Sequence, residues 1–233
     1  MRKTLLVAAV LFAVPAFAQS EARPLPNTTI LELKLGFYQP RVYDSPGVTG
    51  DPYVQTFGNS AMLLGELEVD RFFWHKYGYL GIGLSVGYGE KYAKATLADG
   101  SPSAESTGLS VLPIRAMAVY RYDVLAHLFH IPFVPYAELG FVSYPWWTNK
   151  GGSVEIVNGS KGSGVQWGWG FTLGLALELD FLNPTYAREA KEDAGIYHFY
   201  LFGEFNDDFA NNFGGAGINL GAAYFTFGIA FEF

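Results

Sequence analysis

The side chains of this chain best able to do chemistry are charged residues spaced two apart within apolar segments. Glu66, Glu68 and Asp70, for example, alternate with Leu67 and Val69. Of the residues on polar faces of this kind, ten are the candidate members of one internal site: Lys34, Glu66, Glu68, Arg115, Arg121, Glu138, Glu178, Asp180, His198 and Glu204. Charges that share a dry interior are costly unless they are paired. The spacing therefore predicts an internal network of ion pairs and hydrogen bonds, and the excess of acids leaves a cation-lined pathway as the alternative.

Hydrolytic chemistry would need a nucleophile with a base within hydrogen-bonding reach. The chain has four histidines, and His75, His127 and His130 fall in predicted connections between strands. His198 shares a polar face with Glu204, but no serine lies two residues away from it. No group of His, Cys or Asp has the spacing of metal ligands. The sequence therefore predicts no catalytic residue, no metal site, no cofactor and no enzymatic activity.

The C-terminal segment has the clearest alternation of large apolar and small or polar residues. Its large residues recur at every second position up to the last one: Phe225, Phe227, Ile229, Phe231 and Phe233. This period of two is typical of a strand with one apolar face. The segment resembles the C-terminal signal that the barrel-assembly machinery recognises, although the edge strand of a sandwich could show the same pattern.

Alternation along the chain predicts eight strands in all. They are residues 30–37, 61–71, 77–88, 109–122, 134–144, 165–181, 196–206 and the C-terminal segment. In the sixth, seven large apolar residues from Trp167 to Leu179 face a ladder rich in glycine. A sandwich surface in water has little use for glycine, whereas the narrow interior of an eight-stranded barrel does. We predict an all-β fold: an eight-stranded antiparallel transmembrane up-and-down β-barrel with short periplasmic helical turns.

The N-terminus has the layout of a secretory signal peptide. Arg2 and Lys3 precede a short apolar run, and the small-residue site Ala16-Phe17-Ala18 follows it. This pattern predicts export by the Sec pathway and cleavage after Ala18. Residues 1–18 are thus expected to be the signal peptide and residues 19–233 one outer-membrane barrel domain.

Composition and connections extend this prediction. A formal net charge of −7 excludes an electrostatic footprint for nucleic acid. Aromatic residues near the strand ends would form two interfacial girdles: Trp74, Tyr120 and Tyr122 on one side, and Trp146, Trp147, Trp167 and Trp169 on the other. The connections 38–60, 89–108, 145–164 and 207–219 are predicted to be extracellular loops. The connections 72–76, 123–133 and 182–195 would face the periplasm, the last as a capped helix ending at Gly195.

Three stretches resemble a family of uncharacterised outer-membrane β-barrel proteins common in myxobacterial genomes. They are residues 31–40, residues 119–140, which contain the most specific motif, and residues 195–205; the ending 228–233 is also similar. The resemblance implies a small barrel of the eight-stranded, OmpA-like kind. It implies no activity and no catalytic residue.

Two functions are consistent with these observations. The first is a non-enzymatic structural or interaction scaffold in the Gram-negative outer membrane, whose extracellular loops bind a ligand or partner. The second is a porin-like barrel that transports a small solute or cation through its acidic interior or by a lateral hydrophobic route. The expected partners are outer-membrane lipid and lipopolysaccharide, the barrel-assembly machinery and other envelope proteins.

Overall fold

The fold is known from a computed structural model that describes residues 28–96, 102–129, 131–150, 153–154, 156–157 and 160–233. The predicted signal peptide lies outside these residues. The long strands are β1 (Thr29–Tyr38), β2 (Met62–His75), β3 (Tyr79–Thr96), β4 (Pro102–Val111), β5 (Ile114–Arg121), β6 (Phe133–Lys150), β10 (Ser163–Glu178), β11 (His198–Phe209) and β12 (Ala222–Glu232). Three two-residue strands, β7 (Ser153–Val154), β8 (Ile156–Val157) and β9 (Ser160–Lys161), lie between β6 and β10.

The long strands form one closed antiparallel barrel. Each pairs with its neighbour along the chain, and β1 also pairs with β12, which closes the ring. Strands β4 and β5 both pair with β3 and β6 and act as one barrel strand, interrupted at Leu112 and Pro113. A proline has no N–H to donate to a ladder, which explains the break. The barrel therefore has the eight strands that the sequence predicts.

The barrel is apolar outside and polar inside. In β1, the side chains of Leu33, Leu35 and Phe37 are 47%, 59% and 65% exposed, whereas Glu32 and Lys34 are buried. The same alternation continues through β2, β5 and β12. A water-soluble sheet would bury its apolar face, so this arrangement suits a barrel surrounded by hydrocarbon. No helix among the described residues is long and apolar enough to cross a membrane.

Short helices occupy the connections. Helix α1 (Pro52–Phe57) follows β1, and α2 (Val124–Phe129) and α3 (Pro184–Ala194) lie at the opposite end. The predicted capped helix is confirmed as α3: the Asn183 side chain accepts from the Tyr186 N–H, and Gly195 ends the helix with φ of 70°. Glycine adopts this left-handed conformation without a steric cost.

Two of the predicted extracellular loops are wrong over much of their length. Strand β3 continues to Thr96 and β4 begins at Pro102, so residues 89–108 are mostly a hairpin. Residues 145–150 likewise belong to β6, which pairs with β4 as far as Thr107 and Lys150. The Gly, Ser and Asn content of these stretches suggested loops, but continued ladder hydrogen bonds keep them extended. At the other end, β2 extends to His75 and leaves only a tight turn before β3.

Candidate functional site

The interior of the barrel has three layers: a mainly apolar layer at each end and most of the charged side chains between them. We call the end with α1 and the β3–β4 hairpin the hairpin end, and the end with the start of β1, the last residue of β12, α2 and α3 the terminal end. The apolar layer at the hairpin end is formed by Tyr38, Tyr53, Met62, Leu64, Leu109, Val111, Val142, Tyr144, Ala210, Leu220, Ala222 and Tyr224. The layer at the terminal end is formed by Ile30, Phe72, Met117, Val119, Val134, Tyr136, Ala176, Tyr200, Phe202 and Ala230.

Lys34 is the centre of the charged layer. Its ammonium nitrogen lies 2.8 Å from Glu68 Oε2, 2.8 Å from Glu204 Oε1 and 3.0 Å from Glu32 Oε2. One buried cation on β1 thus joins carboxylates from β1, β2 and β11. Glu204 also accepts hydrogen bonds from the hydroxyls of Tyr136, at 2.8 Å, and Thr226, at 2.6 Å. Both oxygens of Glu204 therefore have donors, which offsets part of the cost of burying its charge.

Arg115 makes a second cross-barrel contact nearer the hairpin end. Its guanidinium donates to Asn206 Oδ1 at 3.0 Å and to Thr172 Oγ1 at 2.7 Å, and lies 3.4 Å from Asp208 Oδ1. The other oxygen of Asp208 accepts from the Tyr144 hydroxyl at 2.5 Å. Strand β5 is therefore tied through the barrel to β10 and β11, which it does not pair with in the sheet.

Arg121 and Glu66 complete the paired part of the interior. The Arg121 guanidinium lies over the rings of Tyr200, at 4.4 Å, and Tyr136, at 5.3 Å, and its Nη1 is 3.8 Å from Glu32 Oε1. Stacking on aromatic rings stabilises a desolvated guanidinium. Glu66 accepts from Ser85 Oγ at 3.2 Å.

The interior contains a group of three buried carboxylates that metal-ligand spacing in the sequence does not predict. Oxygen atoms of Glu68, Asp70 and Glu138 lie within 4.8 Å of one another. Neither carboxylate oxygen of Glu138 has a hydrogen-bond partner in the described part of the chain. The alternation of Glu66, Glu68 and Asp70 in one strand was the available signal. Glu138 lies on β6, and only the closed barrel shows that its side chain reaches this group.

Three predicted members of the network lie apart from it, at the rim of the terminal end. His198 Nδ1 is 2.6 Å from Asp180 Oδ2 and 3.7 Å from Glu178 Oε1, and all three side chains are partly exposed. His198 and Glu204 share the inward face of β11, as predicted, but one lies at the rim and the other in the buried layer. His75 is also at this end, 3.5 Å from Asp123 and stacked on Tyr79. The predicted absence of enzymatic activity stays a prediction.

The aromatic residues predicted to form girdles lie near the two ends of the barrel, and one of them, Trp146, faces the interior instead of the outer surface. Trp74 and Tyr120 are exposed at the terminal end, where Tyr122 is partly buried, and Trp167 and Trp169 are exposed towards the hairpin end. Trp147 stacks on Tyr88 at 6.2 Å. Trp146 instead packs against the apolar layer inside the hairpin end, because it continues the inward face of Val142 and Tyr144 on β6.

The C-terminal strand closes the barrel. The backbone N–H of Phe233 donates to the Thr29 carbonyl at 2.8 Å, and the Thr29 N–H donates to the Phe233 carbonyl at 3.0 Å. Phe225 packs against Phe205 on the outer surface, and Phe231 packs against Phe199. At the seam itself, Phe231, Ile229 and Phe227 of the predicted assembly signal lie opposite Leu31, Leu33 and Leu35 of β1.

The fold and its interior define a class: a closed, inside-out antiparallel β-barrel of eight strands with a filled interior. No protein-family model and no curated protein matches the chain. Among solved structures, it is similar to Ail, the attachment invasion locus protein of Yersinia pestis, in complex with the heparin analogue sucrose octasulfate. The TM-score is 0.48 at 10% sequence identity, over 90% of this chain and 100% of the other.

Two barrels of Pseudomonas aeruginosa are also similar. The outer membrane protein OprG gives a TM-score of 0.45 at 10% identity, over 89% of this chain and 96% of OprG. The N-terminal β-barrel domain of OprF gives 0.39 at 12% identity, over 89% of this chain and 98% of that domain. All three scores lie below 0.5, so the fold rests on the strand pairing of the chain itself.

Proposed function

We propose that this protein is an integral outer-membrane β-barrel of a Gram-negative bacterium and serves as a non-enzymatic scaffold. In this proposal its hairpin end projects from the cell and binds a ligand or an envelope partner. The observation that carries the proposal is the combination of an apolar outer surface with an interior sealed at both ends. Such a barrel is anchored in a membrane but offers its binding surface only at its ends.

The assembly route and family are part of the same proposal. The predicted signal peptide would direct the chain through the Sec pathway. The barrel-assembly machinery would then recognise the apolar residues of β12. Outer-membrane lipid and lipopolysaccharide would contact the exposed apolar side chains of the strands. The resemblance to myxobacterial barrel proteins supports the same location.

A filled interior favours a scaffold over the alternative, a porin-like transport barrel. At the terminal end, a cavity beside Ile30, Phe72 and Arg121 has a volume of only about 10 Å³. That is roughly enough for one water molecule. At the hairpin end, helix α1 places the buried Tyr53 within the apolar layer. An ion crossing this barrel would have to displace both layers.

The hairpin end carries exposed aromatic side chains suited to contact with a partner. Tyr43 follows β1, Tyr92 lies on the β3–β4 hairpin and Phe213 lies between β11 and β12, and all three are exposed. Exposed aromatic residues on the tips of a rigid scaffold are typical of binding surfaces. These residues and their hairpins are the surface that we propose for partner binding.

Labelling of introduced cysteines tests the orientation, because the natural chain has no cysteine. A cysteine at Asn149, at the hairpin end, is expected to react with a membrane-impermeant maleimide on intact cells. A cysteine at Glu189 in α3 is expected to react only after the outer membrane is permeabilised. Both should label in permeabilised cells, which serves as the control. The reverse pattern on intact cells would contradict the proposed orientation.

Bilayer recordings test the sealed interior. Purified wild-type protein is expected to give no stable, uniform single-channel steps, since the apolar layers at both ends exclude a continuous column of water. A conducting porin recorded in the same bilayers provides the positive control. A reproducible cation-selective conductance in the wild-type protein would contradict the scaffold proposal and favour the transport alternative.

A further inference from the structure

The carboxylates of Glu68, Asp70 and Glu138 form an acidic group inside the barrel. We propose that this group binds one calcium ion, which neutralises the excess negative charge of the interior. The site would be structural: it would join β2 to β6 through the middle of the barrel, where these strands do not pair. The geometry, the missing hydrogen bonds and the balance of buried charge support it independently.

The spacing of the oxygen atoms fits a calcium ion. One oxygen from each residue lies within 4.8 Å of the others. Calcium binds oxygen ligands at about 2.3–2.6 Å, so ligands on opposite sides of the ion are about 5 Å apart. Magnesium demands a near-ideal octahedron and gives up its water molecules reluctantly, whereas calcium accepts irregular sets of carboxylate oxygens, bound singly or in pairs. A site made only of carboxylates is also typical of hard cations rather than of zinc or copper.

The environment of Glu138 suits a bound cation. Its side chain is only 3% exposed, and neither of its carboxylate oxygens has a hydrogen-bond partner among the described residues. Asp70 is 1% exposed, and its Oδ1 has no such partner either. Burying an ionised carboxylate without a partner costs several kcal/mol. A calcium ion between these oxygens would remove that cost.

Among the described residues, Lys34 contacts the acidic group at Glu68 alone, and Arg115 and Arg121 pair with other acids. Lys34 contacts Glu68 through Oε2, which leaves Oε1 of Glu68 directed to the acidic group, and its other contacts are Glu32 and Glu204. Arg115 bonds to Asp208 on the far side of the barrel. On the inward faces of the described strands, three bases (Lys34, Arg115, Arg121) therefore meet seven buried acids (Glu32, Glu66, Glu68, Asp70, Glu138, Glu204, Asp208).

Strand β3 provides the space for the carboxylates. Gly83 lies opposite Asp70 in the β2–β3 ladder. A Cβ atom on Gly83 would lie 2.4 Å from Asp70 Oδ1 and 2.9 Å from Glu68 Oε1. Any larger residue at this position would push these oxygens out of the group. The glycine thus lets two acidic side chains of β2 sit side by side in the interior.

Metal analysis of the refolded full-length barrel tests the site. The protein would be refolded in detergent with calcium chloride or with EDTA, desalted and analysed for bound metal by mass spectrometry. We expect about one calcium per barrel after refolding with calcium. We also expect a higher midpoint of thermal unfolding with calcium than with EDTA, and a smaller increase with magnesium at the same concentration. Retention of magnesium equal to that of calcium would contradict the calcium assignment.

Two isosteric variants separate the site from ordinary surface binding. Glu138→Gln and Asp70→Asn should each lower the affinity for calcium about tenfold or more, because ligand charge sets the affinity of such sites. In EDTA, Glu138→Gln should unfold at a higher temperature than the wild-type protein, since it lacks the unpaired buried charge. Asp180→Asn changes the rim group instead and should retain calcium. Wild-type protein that retains no more calcium than Glu138→Gln, with no effect of calcium on unfolding, would overturn the proposal.

Discussion

Replacing Lys34 by Met is expected to lower the free energy of unfolding by about 3–5 kcal/mol, the range for breaking a buried ion pair, or to prevent folding. Methionine keeps the length and packing of the stem but removes the ammonium that lies within 3.0 Å of three buried carboxylates. Glu32, Glu68 and Glu204 would then repel one another in a low-dielectric interior. Equilibrium unfolding in urea, followed by tryptophan fluorescence in detergent micelles, measures the change.

Lys76→Met is the matched control for this experiment. Lys76 is exposed in the turn between β2 and β3, and its ammonium lies 5.3 Å from the ring of Tyr77. Exposed contacts of this kind contribute about 1 kcal/mol or less. Only the Lys34 variant should therefore show a large loss of stability. Similar unfolding curves for the two variants would contradict the central role of Lys34.

The barrel itself could be predicted from the sequence because its pattern is repeated in every strand. In β10, large residues such as Trp167 and Leu173 alternate with glycine, and a single shift in register would turn every side chain to the wrong face. Periodicity of two therefore fixes which residues face inward, and this holds for Arg115, Arg121 and Glu138. The inward face can be predicted from one strand alone, without knowing which strands are its neighbours.

Partners across the barrel could not be predicted in the same way. The contact of Lys34 with Glu204 joins residues 170 positions apart in the chain, and it depends on the tilt and closure of the barrel. The same is true of the approach of Glu138 to Asp70. Conversely, Glu178, Asp180 and His198 share the predicted inward face, but their height along the barrel axis places them at the partly exposed rim. Alternation gives the face of a residue but not its depth.

The ends of the strands could not be predicted from the sequence either. Polar and glycine-rich residues beyond the apolar band indicated loops, yet the ladder between β3 and β4 continues through Tyr92 and Gly108. Outside the apolar band a strand lacks the alternation of apolar and polar residues by which it could be predicted. The same effect explains Trp146: the sequence predicts it in an interfacial girdle, whereas β6 continues and turns the indole inward.

Substituting Gly168 by Ala is expected to destabilise the barrel by about 3 kcal/mol, at the upper end of the range for overpacking. Gly168 lies on the inward face of β10. A Cβ atom there would come within 1.8 Å of the backbone carbonyl oxygen of Phe209 and 2.7 Å of its carbon. Both atoms belong to Phe209 of β11, the residue that pairs with Trp169 in the ladder. Accommodating one methyl group therefore requires the ladder between β10 and β11 to open.

Gly65→Ala provides the comparison, since it adds the same methyl group to the outer face of β2. The nearest atom to a Cβ on Gly65 is Leu35 Cδ2 at 3.9 Å, an ordinary van der Waals contact. This variant should change stability by no more than about 0.5 kcal/mol. Urea unfolding and the fraction of heat-modifiable, folded protein on gels measure both variants. Equal stability of the two alanine variants would show that β10 and β11 do not approach as closely at Gly168 as the structure places them.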